Sequence, residues 1–243
     1  MTEVTKRPFA VFDIDGTLIR WQLYHAIGDG LAKAGLIQPD SFAKVRDARM
    51  VWKRREHETS FHDYELEIIK AYDAAITNIS VADWQRVAEQ VFDEYKDQTY
   101  TYTRDLILEL KAQNYLLFAI SASQREIIGM LAKYYGFDDW GGSEYKSTNG
   151  RYNGQKYILK GEEKPKYLRE LIQKHGATTD DSIGVGDSDG DIVMLNEVES
   201  PIAFNPNKPL FEHAKTQNWK IVVERKNVTY ELEDGDGVYR LLA

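Results

Sequence analysis

The sequence predicts an α/β fold in which a mainly parallel sheet carries helices on both faces and is interrupted by a helical insertion. Strand-like apolar runs alternate with helical segments in the second half of the chain, and strands separated by helices pair in parallel. Amphipathic helical patterns without a convincing strand fill the region after the first strand. We therefore expect a Rossmann-like core made of residues 1–18 and 99–243, with residues 19–98 as an inserted helical domain.

The elements follow from local patterns. Residues 9–12 are apolar and β-prone and end at a Gly-containing turn, which predicts a buried first strand. Gly35, Pro39 and Ser80 supply breaks and caps within the insertion. Helices are expected at 104–113, 124–135, 165–175 and 191–198, strands at 115–120, 182–185, 202–204 and 220–223, and a short strand or hairpin within 140–158. We expect residues 231–243 to form a loosely packed acidic end.

Composition narrows the functional classes. The chain has 243 residues, of which 42% are hydrophobic and 29% charged, as in soluble globular proteins. A net charge of −8 opposes a nucleic-acid or membrane partner. The N-terminus lacks the apolar segment of a signal peptide, and no run approaches the ~18 apolar residues of a membrane span, so we expect a cytoplasmic protein. Because the chain has no cysteine, any metal must bind oxygen or histidine ligands.

The run Asp13-Ile14-Asp15-Gly16-Thr17 directly follows the first strand. Ligands bind at the carboxyl ends of strands in open α/β sheets. Two carboxylates so close together raise each other's pKa unless a cation or a proton intervenes, which favours a divalent metal, and oxygen ligands favour Mg²⁺. The alternative is an ordinary Asp-rich turn with Gly16 in the left-handed conformation.

Two further strands end in polar residues that would meet Asp13 at one edge of a parallel sheet: Ser121 and Asp187. The segment 186–191, with three aspartates in Gly-Asp-Ser-Asp-Gly-Asp, also resembles the start of an EF-hand calcium loop. That alternative fails because Ile192 occupies the position that requires glycine, and Val198 the position of the bidentate glutamate. We therefore expect these residues to form one site at this edge of the sheet.

Lys164 lies just before a helix whose first turn contains Pro165. A solvated side chain is the commonest state of a lysine, and sequence position alone favours it. The alternative is a cation that bridges a nucleophilic carboxylate and a transferring phosphoryl group.

Taken together, these segments resemble the haloacid dehalogenase-like hydrolases, and more narrowly their branch similar to phosphoserine phosphatase. The resemblance covers about residues 8–214, and the four motifs of the family occur in order. The helical insertion is placed where this branch has its cap, a bundle that covers the active site. The motif positions are Asp13 to Thr17, Ser121, Lys164, and Gly186 to Asp191.

The resemblance implies a role for each matching residue. Asp13 would be the nucleophile that forms an aspartyl-phosphate, and Asp15 the general acid and then the base, with Mg²⁺ as cofactor. The metal site would comprise Asp13, Asp15 through its backbone carbonyl, Asp187, and Asp191, which would order the water around the ion. The substrate would be bound by Thr17, Ser121, Ala122 and Lys164, with Lys164 also neutralising charge in the transition state.

Two departures from the branch concern the substrate. Gln22 stands where the phosphoserine enzymes have a glutamate for the substrate ammonium, so the resemblance does not carry amino-acid recognition over to this chain. Gly190 stands where they have an asparagine that donates to phosphate. We expect the enzyme to be active with Gly190, although one hydrogen-bond donor to phosphate is missing.

The insertion carries a basic stretch in an otherwise acidic protein, comprising Arg46, Arg49, Lys53, Arg54 and Arg55. A solvated helix face paired with Glu56 and Glu58 is the common explanation of such a run. The alternative is that one of these arginines contacts an anionic or planar part of the substrate.

The sequence thus predicts a Mg²⁺-dependent phosphomonoester hydrolase that acts on a small phosphorylated metabolite. A phosphotransferase or phosphomutase would use the same aspartate and differ only in the acceptor of the phosphoryl group. A non-catalytic metal-binding module is an alternative from another class. The sequence leaves the oligomeric state open.

Overall fold

A computed structural model describes residues 6–235 and 238–241, with the backbone alone for Ser41, 233–235 and 238–241. The elements are, in order, β1 (Pro8–Phe12), α1 (Leu23–Lys33), α2 (Pro39–Lys53), α3 (Ser60–Ile76), α4 (Val81–Tyr95), α5 (Thr101–Ala112), β2 (Leu116–Gln124), α6 (Arg125–Tyr135), β3 (Asp139–Thr148), β4 (Arg151–Tyr157), α7 (Glu163–His175), β5 (Thr178–Gly186), α8 (Ile192–Leu195), β6 (Ser200–Phe204), α9 (Lys208–Gln217), β7 (Lys220–Arg225), β8 (Val228–Gly235) and β9 (Val238–Leu241). Among the described residues, every helix is too short or too polar to cross a membrane.

The chain divides into two compact units. The core unit comprises Met1–Trp21, Tyr95–Ser143 and Ile158–Ala243. The helical unit comprises Gln22–Glu94 and Glu144–Tyr157, so it contains α1 to α4 and also β4 with the end of β3. The sequence placed the inserted domain at 19–98 and did not assign the hairpin to it.

The sheet of the core unit has the strand order β3-β2-β1-β5-β6-β7-β8-β9. All pairs from β3 to β7 are parallel, and β8 and β9 continue the sheet antiparallel. The predicted α/β class with a mainly parallel sheet is therefore confirmed.

Both faces of the central strands are buried, which explains their nearly continuous apolar sequences. Phe9 and Val11 of β1 pack in one cluster with residues of β2, α7 and α8. Ala10 and Phe12, which alternate with them and point to the opposite face, are equally inaccessible to solvent. The strand is thus held from both sides, and its carboxyl end is fixed in position.

The ends of the predicted insertion lie side by side in the core unit. Tyr100 donates its backbone N–H to the carbonyl of Leu18 (3.0 Å), and Arg20 donates its N–H to the carbonyl of Gln98 (2.9 Å). Ile19 and Thr99 form an antiparallel bridge between these two contacts. The first of the two segments that the helical unit contains therefore begins and ends at one place in the core.

In the helical unit, aromatic and charged contacts join helices and hairpin. The Nε1–H of Trp84 donates to the hydroxyl of Tyr72 at 2.6 Å. Lys156 of β4 donates to both oxygens of Asp73 on α3, at 2.6 Å each. The predicted hairpin within 140–158 is confirmed, with its turn at Asn149 and Gly150.

Two expectations were wrong. The expected loose end contains most of β8 and β9, and Leu232 packs against the core cluster that contains Ile221; the alternation of apolar and polar residues from Val228 to Leu232 was the missed signal. Residues 236–237 and 242–243 lie outside the described residues. The helix expected at 191–198 is shorter: a 3₁₀ turn at Asp189–Asp191, with a capping box between Ser188 and Asp191, leads into α8. α8 ends at Leu195 because the N–H groups of Glu197 and Val198 bond to carbonyls three residues back instead of four.

Candidate active site

The loop after β1 carries two buried carboxylates. Asp13 and Asp15 are 5% and 8% exposed. The N–H of Asp13 donates to the carbonyl of Val185 on β5 (2.9 Å), and the loop is closed by the N–H of Ile19 on the carbonyl of Ile14 (2.9 Å). Gly16 has φ of 85°, a left-handed conformation that favours glycine, as the Asp-rich turn interpretation expected. An ordinary exposed turn does not account for the burial of both carboxylates.

Ser121 meets the second of these carboxylates; it follows the apolar run 116–120 but lies inside β2, which continues to Gln124 instead of ending at residue 120 as expected. Its hydroxyl donates to Oδ2 of Asp15 at 2.5 Å and accepts the N–H of Ser123 at 2.9 Å. The next residue, Ala122, is exposed at this edge, and its carbonyl accepts the hydroxyl of Ser143 at 2.6 Å. The loop after β1 and strand β2 are thus connected through side chains.

Lys164 is buried in this site and is not solvated. It lies in the first turn of α7 and is 5% exposed. Its ammonium donates to Oδ1 of Asp13 at 2.8 Å and to Oδ1 of Asp191 at 2.6 Å. Burial disfavours its charged form, but the charges of Asp13 and Asp191 outweigh this and raise the pKa of Lys164. The interpretation that sequence position favoured was therefore wrong.

The segment after β5 holds Asp191 in a fixed orientation. Its Oδ2 accepts the N–H groups of Asp187 (3.2 Å) and Ser188 (3.1 Å). A Cβ on Gly186 would lie 2.6 Å from the Cβ of Asp191, so this position requires glycine. Asp189 turns away and accepts the side chain of Asn207 at 2.6 Å, which agrees with the rejection of a calcium loop.

Three carboxylates form a cluster suited to a metal ion. Oxygen atoms of Asp13, Asp187 and Asp191 lie within 4.8 Å of one another. Burial raises the pKa of Asp13 to about 7, with further contributions from Asp191 and Asp15, while Lys164 acts in the opposite direction. Burial, followed by the charges of Asp13 and Asp191, raises the pKa of Asp187. One ammonium thus faces several buried carboxylates, and a hard divalent cation would relieve the excess negative charge.

The model of the haloacid dehalogenase-like hydrolase family matches residues 10–196. The chain belongs to this family. The prediction from the four motifs is therefore confirmed.

Relatives whose names state a specific activity are phosphatases. A phosphoserine phosphatase of Mycobacterium tuberculosis is 26% identical over 215 residues, covering 87% of this chain and 69% of that protein. A histidinol-phosphatase of Neisseria meningitidis is 26% identical over 223 residues and covers 88% of this chain and 97% of that protein. The predicted enzyme class, a phosphatase of the haloacid dehalogenase type, is confirmed.

Solved structures share the fold. A protein of unknown function from Bordetella pertussis superposes with a TM-score of 0.71 at 22% identity, covering 89% of this chain and 98% of that one. A phospho-aspartyl intermediate analogue of phosphoserine phosphatase superposes with a TM-score of 0.62 at 17% identity, covering 91% and 95%. At these identities the likeness concerns the fold alone.

The remaining motif residue of the haloacid dehalogenase-like enzyme, Thr17, is fully buried. Its carbonyl accepts the hydroxyl of Thr103 on α5 at 2.9 Å. Its own hydroxyl has no hydrogen-bond partner among the described residues. A buried hydroxyl without a partner is uncommon and leaves a donor and an acceptor at the end of the first motif.

The residues that depart from the branch pattern occupy ordinary positions. Gln22 precedes α1 in the helical unit, and its side chain does not cap that helix. A Cβ on Gly190 would meet only Ser188 Oγ, at 3.5 Å, so the backbone there does not require glycine for lack of space.

Two of the arginines in the helical unit have clear partners. The guanidinium of Arg49 is held by Asp29 at 2.6 Å and by the hydroxyl of Tyr64 at 2.9 Å. Arg54 is exposed and pairs with Glu56 at 3.3 Å, as the common interpretation of the basic run expected.

The sequence did not single out a polar group at the ends of β6 and β7. Glu224 is 7% exposed, and its carboxylate accepts the N–H groups of Thr101 (3.1 Å) and Tyr102 (2.9 Å) at the start of α5. Asn205, just after β6, accepts the N–H of Glu224 at 2.9 Å. Glu224 is followed by the exposed Arg225 in the charged end of β7, so no local pattern marked it as buried.

Proposed function

We propose that this phosphatase hydrolyses phosphate monoesters of small metabolites through an aspartyl-phosphate on Asp13. The observation that carries the proposal is the convergence of four segments at one sheet edge. Lys164 contacts Asp13 and Asp191, and Ser121 contacts Asp15. These groups come from distant parts of the chain, and each has the chemistry that phosphoryl transfer to a carboxylate needs.

Asp13 is the proposed nucleophile. One of its carboxylate oxygens would attack phosphorus, and the bond from phosphorus to the ester oxygen would break. The contact of Lys164 with Oδ1 of Asp13 favours the ionised carboxylate and places a positive charge beside the oxygens on which charge accumulates.

Asp15 is the proposed acid and base. Its carboxyl group would protonate the departing alkoxide and then accept a proton from the water that attacks the aspartyl-phosphate, which releases inorganic phosphate and restores Asp13. The Ser121 hydroxyl that donates to Oδ2 of Asp15 would hold this carboxyl in place. Thr17, Ser121 and the backbone of Ala122 are the proposed contacts of the phosphate oxygens.

The proposed metal is Mg²⁺, held by Asp13, Asp187 and the backbone carbonyl of Asp15, with Asp191 ordering the water around the ion. The fit rests on the cluster of carboxylates and on Lys164, the one ammonium that contacts it in the described part of the chain. When bound, Mg²⁺ would supply positive charge to the phosphate oxygens and keep Asp13 ionised. We further propose that the helical unit acts as the cap that selects the substrate. Cytoplasmic location stays a prediction.

The proposal is tested with a panel of phosphate esters in the presence of Mg²⁺, measured as release of inorganic phosphate. Phosphoserine and histidinol phosphate come first because relatives carry those activities in their names. Wild type, Asp13→Asn and Asp189→Asn are compared. Loss of turnover in Asp13→Asn alone supports the nucleophile, because Asp189 lies in the same acidic segment but outside the cluster. Equal rates for wild type and Asp13→Asn would refute it.

The alternatives give different outcomes. Addition of an alcohol acceptor would yield a new phosphate ester if the chain were a transferase, and free phosphate alone if it is a hydrolase. A non-catalytic metal-binding module would show no turnover with any ester. Treatment with EDTA should abolish turnover, and Mg²⁺ should restore it; activity that survives EDTA would contradict the metal requirement.

A further inference from the structure

The first turn of α5 contains a buried hydroxyl. Thr103 is inaccessible to solvent and lies on the buried face of the helix, which also contains Ile107 and Leu110. These two residues follow it by four and seven positions, the spacing of the apolar stripe of a helix that packs on a core. Valine is β-branched like threonine and would fill this position without a polar atom. Packing alone therefore does not account for the hydroxyl of Thr103.

The hydroxyl of Thr103 bonds outside its own helix. A helical threonine commonly donates to a carbonyl three or four residues earlier in the same helix. Thr103 instead donates to the carbonyl of Thr17 at 2.9 Å, in the loop after β1. Inside that loop, the N–H groups of Leu18 and Ile19 both bond to the carbonyl of Ile14. The carbonyl of Thr17 is thus held from outside the loop, by α5.

The start of α5 is itself fixed in position. The N–H of Tyr100 donates to the carbonyl of Leu18 at 3.0 Å. The carboxylate of Glu224 on β7 accepts the N–H groups of Thr101 (3.1 Å) and Tyr102 (2.9 Å). These N–H groups lack partners within the helix, and the start of a helix favours negative charge. The turn that carries the hydroxyl is therefore attached both to the sheet and to the loop after β1.

The residue that Thr103 holds carries a proposed contact of the phosphate oxygens. The hydroxyl of Thr17 is buried and has no hydrogen-bond partner among the described residues. Buried hydroxyls are normally hydrogen-bonded, and a phosphate oxygen would supply the partner. The direction of this hydroxyl depends on the backbone of Thr17, which the contact with Thr103 restrains. Small displacements of a positioning group can lower a rate by about 100-fold.

We propose that Thr103 is a positioning residue whose hydroxyl holds Thr17 so that the Thr17 hydroxyl is presented to the phosphate group of the substrate. This inference rests on the proposed function, and in particular on Thr17 as a phosphate contact. Thr103 has no contact with the substrate and no part in bond making or breaking. Its effect is on the affinity of the site for the phosphate group.

The test compares wild type with Thr103→Val, Thr103→Ser, Thr17→Val and the double variant Thr17→Val/Thr103→Val. Thr103→Val removes the hydroxyl and keeps the branched shape, whereas Thr103→Ser keeps the hydroxyl and removes the methyl group. Ser182→Ala is the matched control. Ser182 is equally buried and donates its hydroxyl to the carbonyl of Thr179, but it lies four residues before Gly186, the last residue of β5.

The measurements are kcat and KM for p-nitrophenyl phosphate with Mg²⁺, the inhibition constant of inorganic phosphate, and the Tm. In Thr103→Val we expect kcat/KM to fall about 10-fold and the inhibition constant to rise about as much, the usual effect of one hydrogen bond to a charged group. Thr103→Ser should stay within about threefold of wild type. Ser182→Ala should lower the Tm and leave both constants within about twofold.

The double variant shows whether Thr103 acts through Thr17. If it does, Thr17→Val/Thr103→Val should be within about twofold of Thr17→Val, because no Thr17 hydroxyl is left to orient. A further 10-fold loss in the double variant would overturn the positioning role. Equal weakening in Thr103→Val and Thr103→Ser would also overturn it, because it would trace the effect to packing.

The remaining outcomes separate this inference from the function on which it rests. Unchanged constants in Thr103→Val, together with a loss in Thr17→Val, would overturn the positioning role alone. Unchanged constants in Thr17→Val would overturn the proposed phosphate contact, and absence of turnover by wild type with every ester would overturn the proposed function. If Thr103→Val does not fold, Thr103→Ala takes its place, because it differs from Thr103→Ser by the hydroxyl alone.

Discussion

His25 should make the helical unit sensitive to acid. It is 2% exposed in α1 and packs edge-on against Tyr64, with ring centroids 4.6 Å apart. Burial, aided by the charge of Arg49, lowers the pKa of His25 to about 3. We therefore expect the folded chain to keep this imidazole neutral over most of the acid range.

The sign follows from the protons bound in each state. The unfolded chain takes up a proton on His25 as the pH falls below about 6.5, whereas the folded chain does not until about pH 3. Between these values the unfolded state binds more protons, so the free energy of unfolding decreases as the pH falls. Over this whole pH range the free energy of unfolding decreases by about 5 kcal/mol, at about 1.4 kcal/mol per pH unit, and about 3 kcal/mol of the decrease occurs above pH 4.

The assay is urea unfolding followed by far-UV circular dichroism at several pH values between 7 and 4, on wild type and His25→Phe. Phenylalanine keeps a ring against Tyr64 and cannot titrate, and all other groups titrate alike in both proteins. We expect wild type to lose about 3 kcal/mol more than the variant over this range. Parallel stability curves for the two proteins would refute the reasoning.

Three further predictions concern the site and its support. Gly186→Ala should lower kcat/KM on p-nitrophenyl phosphate by at least about 100-fold, because its Cβ would displace the adjacent carboxylate, whereas Gly190→Ala should stay within about threefold of wild type. Asp139→Asn should lower the free energy of unfolding at pH 7 by about 2–3 kcal/mol in urea unfolding, because it weakens hydrogen bonds to a lysine (2.7 Å) and a histidine (2.6 Å). Burial opposes these partners, but they outweigh it and lower the pKa of Asp139. The stability difference between wild type and variant should therefore disappear as the pH falls through that lowered pKa. Arg49→Ala should lower the thermal stability with little change in KM, while the exposed Arg54→Ala should change neither; an unchanged Tm in Arg49→Ala would contradict its structural role.

Much of the site could be predicted because its residues sit at strand ends. Asp13 and Asp187 each follow an apolar strand, Ser121 follows the apolar run that opens β2, and parallel pairing then brings them to one edge. Lys164 could not be placed this way. It lies in a helix after a hairpin, and its burial depends on carboxylates that are distant in sequence.

Other parts of the fold depend on contacts that a local pattern does not record. The end of the chain is polar in composition, yet β8 pairs with β7 and buries Leu232. Glu224 looks like a surface residue of a strand until α5 is placed against it. In both cases the residues that bury the side chain are too distant in sequence to affect the local hydrophobic periodicity.

The adjoining ends of the insertion have an evolutionary consequence. Because Leu18 and Tyr100 are hydrogen-bonded neighbours, the parallel strands of the core close without the chain between them, which is tied instead to the hairpin of β3 and β4. A lineage could exchange this segment for another and leave the catalytic edge unchanged. New substrates could then arise by replacing this stretch of the gene and adjusting the hairpin that packs against it, while the residues that perform the chemistry stay under separate selection.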